Sequence, residues 1–160
     1  MAMEYSMQIE GLDQLLSAMA EAGGNAKPLM ALAMKASVLK IQSLAREKAP
    51  HRTGTLQRSI QAEYSDLHGE VKVIEKYGLF IEQGTGIYGP EHRMIEIRPR
   101  NKKALFWPGA AYPVKLVRQK GQRARPFFQP AITEAQVFIR AQFQQVADTI
   151  VRQIAEKARH

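Results

Sequence analysis

Ala49-Pro50-His51-Arg52-Thr53-Gly54-Thr55-Leu56-Gln57-Arg58-Ser59-Ile60 divides the chain into a helical part upstream and a strand-and-loop part downstream. Pro50 has no N–H and pushes the residue before it out of helical geometry, so the preceding helix stops near Lys48. Thr53 or Thr55 can cap a short new turn through its hydroxyl, and Gly54 admits a backbone angle that a larger residue resists. Leu56 and Ile60 are four apart, which places both on one face of a helical turn, toward a core. The stretch is a joint that converts a helix into a sheet.

Upstream of the joint, Tyr5 to Ile9 alternates as a short strand. Leu12, Leu15, Leu16 and Met19 recur at helical spacing, and Gly23-Gly24 ends that helix. Pro28 opens a second helix from Leu29 to about Lys48, whose small and apolar positions (Leu29, Leu32, Ala33, Ala36, Leu39, Leu44) make a broad stripe for close packing. Downstream, Ile60 to Tyr64 and Glu70 to Ile74 read as strands around an Asp66-Leu67-His68-Gly69 hairpin turn. Tyr77 to Glu82 fits a short helix or a strand. Met94 to Arg98, Ala104 to Trp107 and Tyr112 to Val117 follow as strand-like runs. Hairpin-length gaps favour antiparallel pairing. Pro126 or Pro130 opens a last helix running nearly to Arg159. Its face is marked by Ala135, Phe138, Ile139, Phe143, Val146, Ala147, Ile150, Val151 and Ile154. About thirty helical residues span roughly 45 Å, more than a domain of this size needs to cover its own sheet, and the excess predicts a packing partner. The predicted fold is α+β: an N-terminal helical pair, an antiparallel sheet of about five strands, and a long C-terminal helix packed across it, all in one domain over residues 1–160.

Three blocks stand in order along the chain. They are Ala49-Pro50-x-x-Thr53-Gly54-x-Leu56-x-x-Ser59-Ile60, then Tyr77-Gly78-Leu79-Phe80-Ile81-Glu82-Gln83-Gly84-Thr85-Gly86, then Arg125-Pro126-Phe127-Phe128-Gln129-Pro130-Ala131. Together they resemble the tail-completion (neck) proteins of long-tailed bacteriophages, encoded among the head–tail joining genes. The interval from Ile87 to Arg123 is longer than in the shorter members. The resemblance implies a non-enzymatic structural protein of the virion of a phage or prophage, assembled in the host cytoplasm. It would act as one subunit of a homo-oligomeric ring that joins head and tail. The partners implied are other neck and tail proteins: adaptor, head-closure, tail-terminator and tail-tube subunits. The motif residues so carried over are Pro50, Thr53, Gly54, Leu56, Glu82, Gly84, Thr85, Arg125, Pro126 and Phe127.

The composition suits this class. At 160 residues the chain can hold a real core, and 45% hydrophobic with 24% charged residues is ordinary for a globular protein. No cysteine is present, which excludes disulfides, thiolate metal sites and thiol nucleophiles. No apolar run is long enough to span a bilayer, so no membrane partner is expected. Met1-Ala2-Met3-Glu4-Tyr5 lacks the basic and apolar regions of a secretion signal, which points to the cytoplasm or a particle assembled there. The net charge of +8 is concentrated. Arg98, Arg100, Lys102, Lys103, Lys115, Arg118, Lys120, Arg123 and Arg125 lie in one stretch with no Asp or Glu, leaving fourteen Lys/Arg against fifteen Asp/Glu elsewhere. A basic hairpin or loop region over about 87–125, so biased, seeks an acidic partner or a nucleic-acid backbone, or is simply a solvated loop in which Phe106 and Trp107 anchor a strand; contacts to partners are expected from the loops between Ile87 and Arg123. The alternative is a nucleic-acid-binding module, with the same cations tracking phosphates while Phe106, Trp107 and Tyr112 stack on bases.

Signs of catalysis are sparse. His51, His68, His92 and His160 show no metal-ligand spacing. Glu82, Glu91 and Glu96 have no partner identifiable from the sequence, although a small hydrolase built on His92 or Glu82 is a third reading. Gly84-Thr85-Gly86 lacks the Gly-Lys-Ser/Thr of a phosphate loop and reads as a turn. The sequence thus predicts no catalytic, cofactor or metal site.

Overall fold

A computed structural model describes residues 3–7, 17, 26–51, 53–65 and 68–159. The chain divides into two compact units: one formed by residues up to 76 together with those from 127 onward, the other by residues 77–126.

The first unit is built from strand β1 (Met3–Met7), helix α1 (Ala26–Lys48), the short helix α2 (Thr55–Ser59), strands β2 (Ile60–Tyr64) and β3 (Gly69–Val73), and the long helix α4 (Phe128–Lys157). The strands form an antiparallel sheet in the order β1-β3-β2. The Ser65 N–H bonds the His68 carbonyl at 2.9 Å and closes the β2–β3 hairpin; Asp66 and Leu67 of the expected turn lie outside the described residues. So does nearly all of the expected first helix (Leu12, Leu15, Leu16, Met19) with its Gly23-Gly24 stop.

Helix α1 begins slightly before the predicted Leu29 and ends where Pro50 requires, with the Ala49 N–H still bonded to the Ala45 carbonyl at 2.9 Å. Its buried positions, among them Met30, Ala33, Met34, Val38, Ile41, Leu44 and Ala45, repeat at three and four residues. This corrects the expected stripe: Ala33 and Leu44 are buried, but Leu29 and Ala36 are only half-buried and Leu32 and Leu39 are exposed, the buried face being turned toward the methionines and Val38. Ser37 is buried within this stripe and its hydroxyl is satisfied by the Ala33 carbonyl at 2.7 Å. Part of the stripe covers β2 and β3, and part meets α4. At the sheet the approach is close: a Cβ on Gly69 would run into Val38 Cγ2 and lie 2.9 Å from Met34 Sδ. Val71 and Val73 of β3 are fully buried in the same layer.

Two expectations need correction here. The expected five-stranded sheet is instead a three-stranded sheet in this unit and a separate two-stranded ribbon in the other. The C-terminal helix has α1, not the sheet, as its main neighbour. Strands of five residues span about 17 Å, too short to seat a second long helix beside α1. The small residues Ala131 and Ala135, both fully buried, let the helix axes come close. Lys48 pairs with Glu134 at 2.6 Å and Lys40 lies over the Phe138 ring at 5.9 Å, so the two helices run in opposite directions. Beyond Ala135 the coverage is uneven: Ile150 is fully buried, Phe138, Ile139, Phe143 and Val146 are half-buried, and Val137 and Val151 are exposed.

The joint forms as read, with one change. Leu56 and Ile60 are both buried. Neither threonine caps α2; Gly54 occupies the cap position at φ 72° and the Thr53 and Thr55 hydroxyls bond each other at 2.9 Å.

The second unit contains α3 (Tyr77–Gln83), a 3-10 turn at Gly86–Tyr88, and strands β4 (Ile95–Ile97) and β5 (Val117–Gln119) in an antiparallel ribbon. Tyr77 to Glu82 is helix. The runs Ala104 to Trp107 and Tyr112 to Val117 form only a single bridge, Leu105 to Val114, and β5 lies at the far end of the second run. Pro99, Pro108 and Pro113 each remove a ladder donor, and Arg98, Arg100, Lys102 and Lys103 repel along one strand.

Candidate functional site

Within 77–126 only Gly78, Gly84 and Gly89 are buried; every apolar side chain is at least partly accessible. The buried apolar residues all belong to the other unit. Phe106 is 67% exposed, Tyr112 69% and Phe80 55%, with Tyr77, Tyr88, Met94, Ile97 and Trp107 exposed as well. A segment of this size ordinarily buries apolar side chains in a core, and its largest ones stand open instead.

What holds this unit is largely main chain. The Thr85 N–H bonds the Gln122 carbonyl at 2.8 Å, the Ile87 N–H bonds the Lys120 carbonyl at 2.9 Å, and the Gln122 N–H returns to Thr85 Oγ1 at 2.9 Å. The Arg125 N–H bonds the Ile81 carbonyl at 2.7 Å. The Tyr77–Gly86 and Arg125-Pro126 blocks are thereby clasped together. Side chains are excluded at the clasp: a Cβ on Gly86 would collide with the Lys120 carbonyl, and one on Gly121 with the Thr85 carbonyl. Both glycines also have positive φ, 65° and 88°. Gly84-Thr85-Gly86 is accordingly one jaw of this clasp. Gly121, inside the basic run, is a structural position missed in the sequence; its signal was a lone glycine among cations.

Beside the clasp lies a groove of about 1020 Å³, lined by Leu79, Phe80, Met94 and Ile95 with Glu96 and Arg118 at its polar side. Glu96 stands opposite Arg118 in the ribbon and accepts from its Nε at 3.1 Å and from Arg98 Nη2 at 3.3 Å. The hydrogen bonds from Arg98 and then Arg118 hold the Glu96 carboxyl below its ordinary value.

Beyond β4–β5 the hairpin is asymmetric. Residues 98–104 on one side face only 115–116 on the other, between the Ile97–Val117 pair and the Leu105–Val114 bridge. The excess forms a bulge carrying Arg98, Arg100, Lys102 and Lys103, with Lys115 across from it. The tip runs from Phe106 to Pro113. It is closed by reciprocal bonds between Leu105 and Val114 (2.7 and 3.0 Å) and by the Ala110 N–H to the Trp107 carbonyl at 3.0 Å. Of the nine cations, Arg98 and Arg118 share Glu96, and Arg123 lies over the Tyr88 ring at 5.4 Å. Arg100, Lys102, Lys103, Lys115, Lys120 and Arg125 are exposed and have no carboxylate partner among the described residues.

No family model, curated protein or solved structure matches the chain.

The motif residues fall in both units. Leu56 and Phe127 are core residues, Pro50 ends α1, and Phe127 and Phe128 meet edge to face at 6.3 Å between centroids. Thr53 and Pro126 are exposed; Glu82 is half-buried on α3. His51, His68 and His92 are exposed, and His160 lies outside the described residues. Glu91 pairs with Arg93 at 2.6 Å. Among the described residues no three His, Asp or Glu side chains gather as a metal site, and none of the described helices is long and apolar enough to cross a membrane.

Proposed function

We propose that the chain is an assembly protein of a phage or prophage virion, completing the tail and joining it to the head as one subunit of a ring in the neck. The observation that carries the reading is the unit 77–126, which exposes eight large apolar side chains and buries none. Large apolar side chains left open beside unpaired cations are the mark of a docking surface. The three sequence blocks supply the class of assembly. The incompletely covered outer half of α4 supplies a second contact, between neighbouring subunits. No chemistry is required of such a protein; its function is the surface.

The test is complementation. Deleting Asn101 to Lys103 removes two cations from the bulge without touching the clasp. The variant is expected to keep its helix content and melting temperature while losing most neck assembly and ring formation in negative-stain images. Full assembly by the variant, or a wild-type protein that stays monomeric with adaptor, head-closure and tail-tube subunits present, overturns the reading.

A further inference from the structure

We infer that the hairpin 95–119 binds single-stranded nucleic acid, the bulge 98–104 with Lys115 holding phosphates and Phe106, Trp107 and Tyr112 stacking on unpaired bases. The inference goes beyond the assembly role and stands without it.

Three observations carry it. First, the charge is of one sign and is not neutralised: Arg100, Lys102, Lys103 and Lys115 have no carboxylate partner among the described residues, and no acid occurs between Arg98 and Arg125. A phosphate backbone presents the uniform negative charge that such a run matches. Second, the aromatic rings are separated from the ladder. Phe106 and Tyr112 flank the Leu105–Val114 bridge on the tip side, both more than two-thirds accessible, and Trp107 is 46% exposed. Rings held open beside cations are the arrangement that binds bases by stacking, which is tolerant of sequence because every base has a π face. Third, the tip is pre-shaped. Pro108 and Pro113 restrict the backbone, and the turn at Trp107–Ala110 is closed by its own hydrogen bond, so few degrees of freedom remain to be ordered on binding. Bases inside a duplex are unavailable for stacking, so the rings favour an unpaired strand.

Trp107 is the only tryptophan in the chain, so intrinsic fluorescence reports on the tip itself. Titration of the full-length protein with a short oligothymidylate is expected to quench that fluorescence, and a duplex of the same length to bind more weakly. With four phosphates neutralised at about 0.7 log units each, affinity falls roughly 50-fold between about 50 and 200 mM salt. Trp107→Ala and Tyr112→Ala, followed by anisotropy of a labelled oligothymidylate, each weaken binding about 5-fold or more, whereas Trp107→Phe retains it. Lys102→Gln with Lys103→Gln lowers the salt slope by about 1.4 and leaves the preference for single strands intact. All these side chains are exposed, so folding is not at issue. No quenching at low salt overturns the inference. So does binding of poly-glutamate as tight as that of the oligonucleotide, which assigns the hairpin to an acidic protein. Equal binding to vesicles of phosphatidylcholine and phosphatidylserine in equal parts overturns it too, in favour of a lipid surface. Loss of oligonucleotide binding with neck assembly intact separates this inference from the assembly role.

Discussion

Arg46 donates to the carbonyl oxygen of Ile60 through both Nε, at 3.2 Å, and Nη2, at 2.7 Å. Gln42 Nε2 reaches the same oxygen at 3.0 Å. The Ile74–Ser59 and Ser65–His68 bonds place Ser59 and Ser65 in hydrogen-bonded pairs, so Ile60 belongs to a non-bonded pair and its carbonyl faces the open edge of the sheet. Two side chains of α1 close that edge at the point where the joint becomes a strand.

Removing one donor leaves the other in place. Arg46→Met is expected to cost about 1 kcal/mol, and Gln42→Leu similarly. The double variant orphans the Ile60 carbonyl and is expected to exceed the sum of the singles by about 1 kcal/mol or more. Urea unfolding of the four proteins checks this; strict additivity refutes it.

Gly69→Ala places a methyl group against Val38 and Met34 in the closest contact between α1 and the sheet. The expected loss is about 1–3 kcal/mol, as for other overpacked cores. Combining it with Val38→Ala, which removes the offended methyl groups, is expected to recover part of that loss. Thermal melts of the single and double variants decide the matter.

Glu63 and Glu70 are directly opposed across β2 and β3, and Lys72 bonds both, at 3.2 and 2.7 Å. The bond from Glu70, then that from Glu63, raises the Lys72 ammonium above its ordinary value. Its contribution is therefore complete at neutral pH and disappears only as pH rises through that elevated value. Lys72→Met leaves two like charges facing each other. Its destabilisation is expected to be full at neutral pH and to shrink as pH rises through the elevated Lys72 value, which paired melts at neutral and alkaline pH would show.

The Glu96 carboxyl has the opposite sense. Its value is depressed in the folded protein, so the stability it gives the β4–β5 ribbon is present above the ordinary glutamate value of about 4.3 and is lost as pH falls through the depressed one. A carboxylate NMR titration is expected to place the Glu96 midpoint below the ordinary glutamate value of about 4.3, moving back toward it in high salt. Glu96→Gln removes the acid-dependent part of amide exchange in Ile95–Ile97.

The stop of α1, the long last helix and the joint were legible because they rest on local rules: Pro50 for the stop, the Leu56–Ile60 pair for the turn. The buried face of α1 was not: Leu32 and Leu39 of the expected stripe are exposed, while Met30, Met34, Val38 and Ile41 are buried, because a helix this rich in apolar residues offers more than one candidate face. The basic surface was legible as composition. The division into two sheets was not, because the alternation in Met94 to Arg98 and the apolar runs after it look like ladder segments until prolines and like charges are weighed against pairing. Nor was the seat of α4, whose apolar face fits a sheet or a helix equally well; the shortness of the strands decides it. The clasp escaped because Thr85 and Gln122 are distant in sequence and meet mainly through backbone groups, with one threonine hydroxyl, which leaves no periodic side-chain pattern.

That clasp has an evolutionary consequence. Because the clasp is made by the Thr85, Ile87 and Gln122 amides with the Lys120 and Gln122 carbonyls and the Thr85 hydroxyl, with glycine at 86 and 121, the side chains from Arg100 to Lys115 take no part in the fastening. Mutations can accumulate there without unseating the hairpin, and an entire tip can be exchanged between lineages as a cassette. Replacing the tip leaves both jaws of the clasp as they are, whereas a side chain at position 86 or 121 forces them apart.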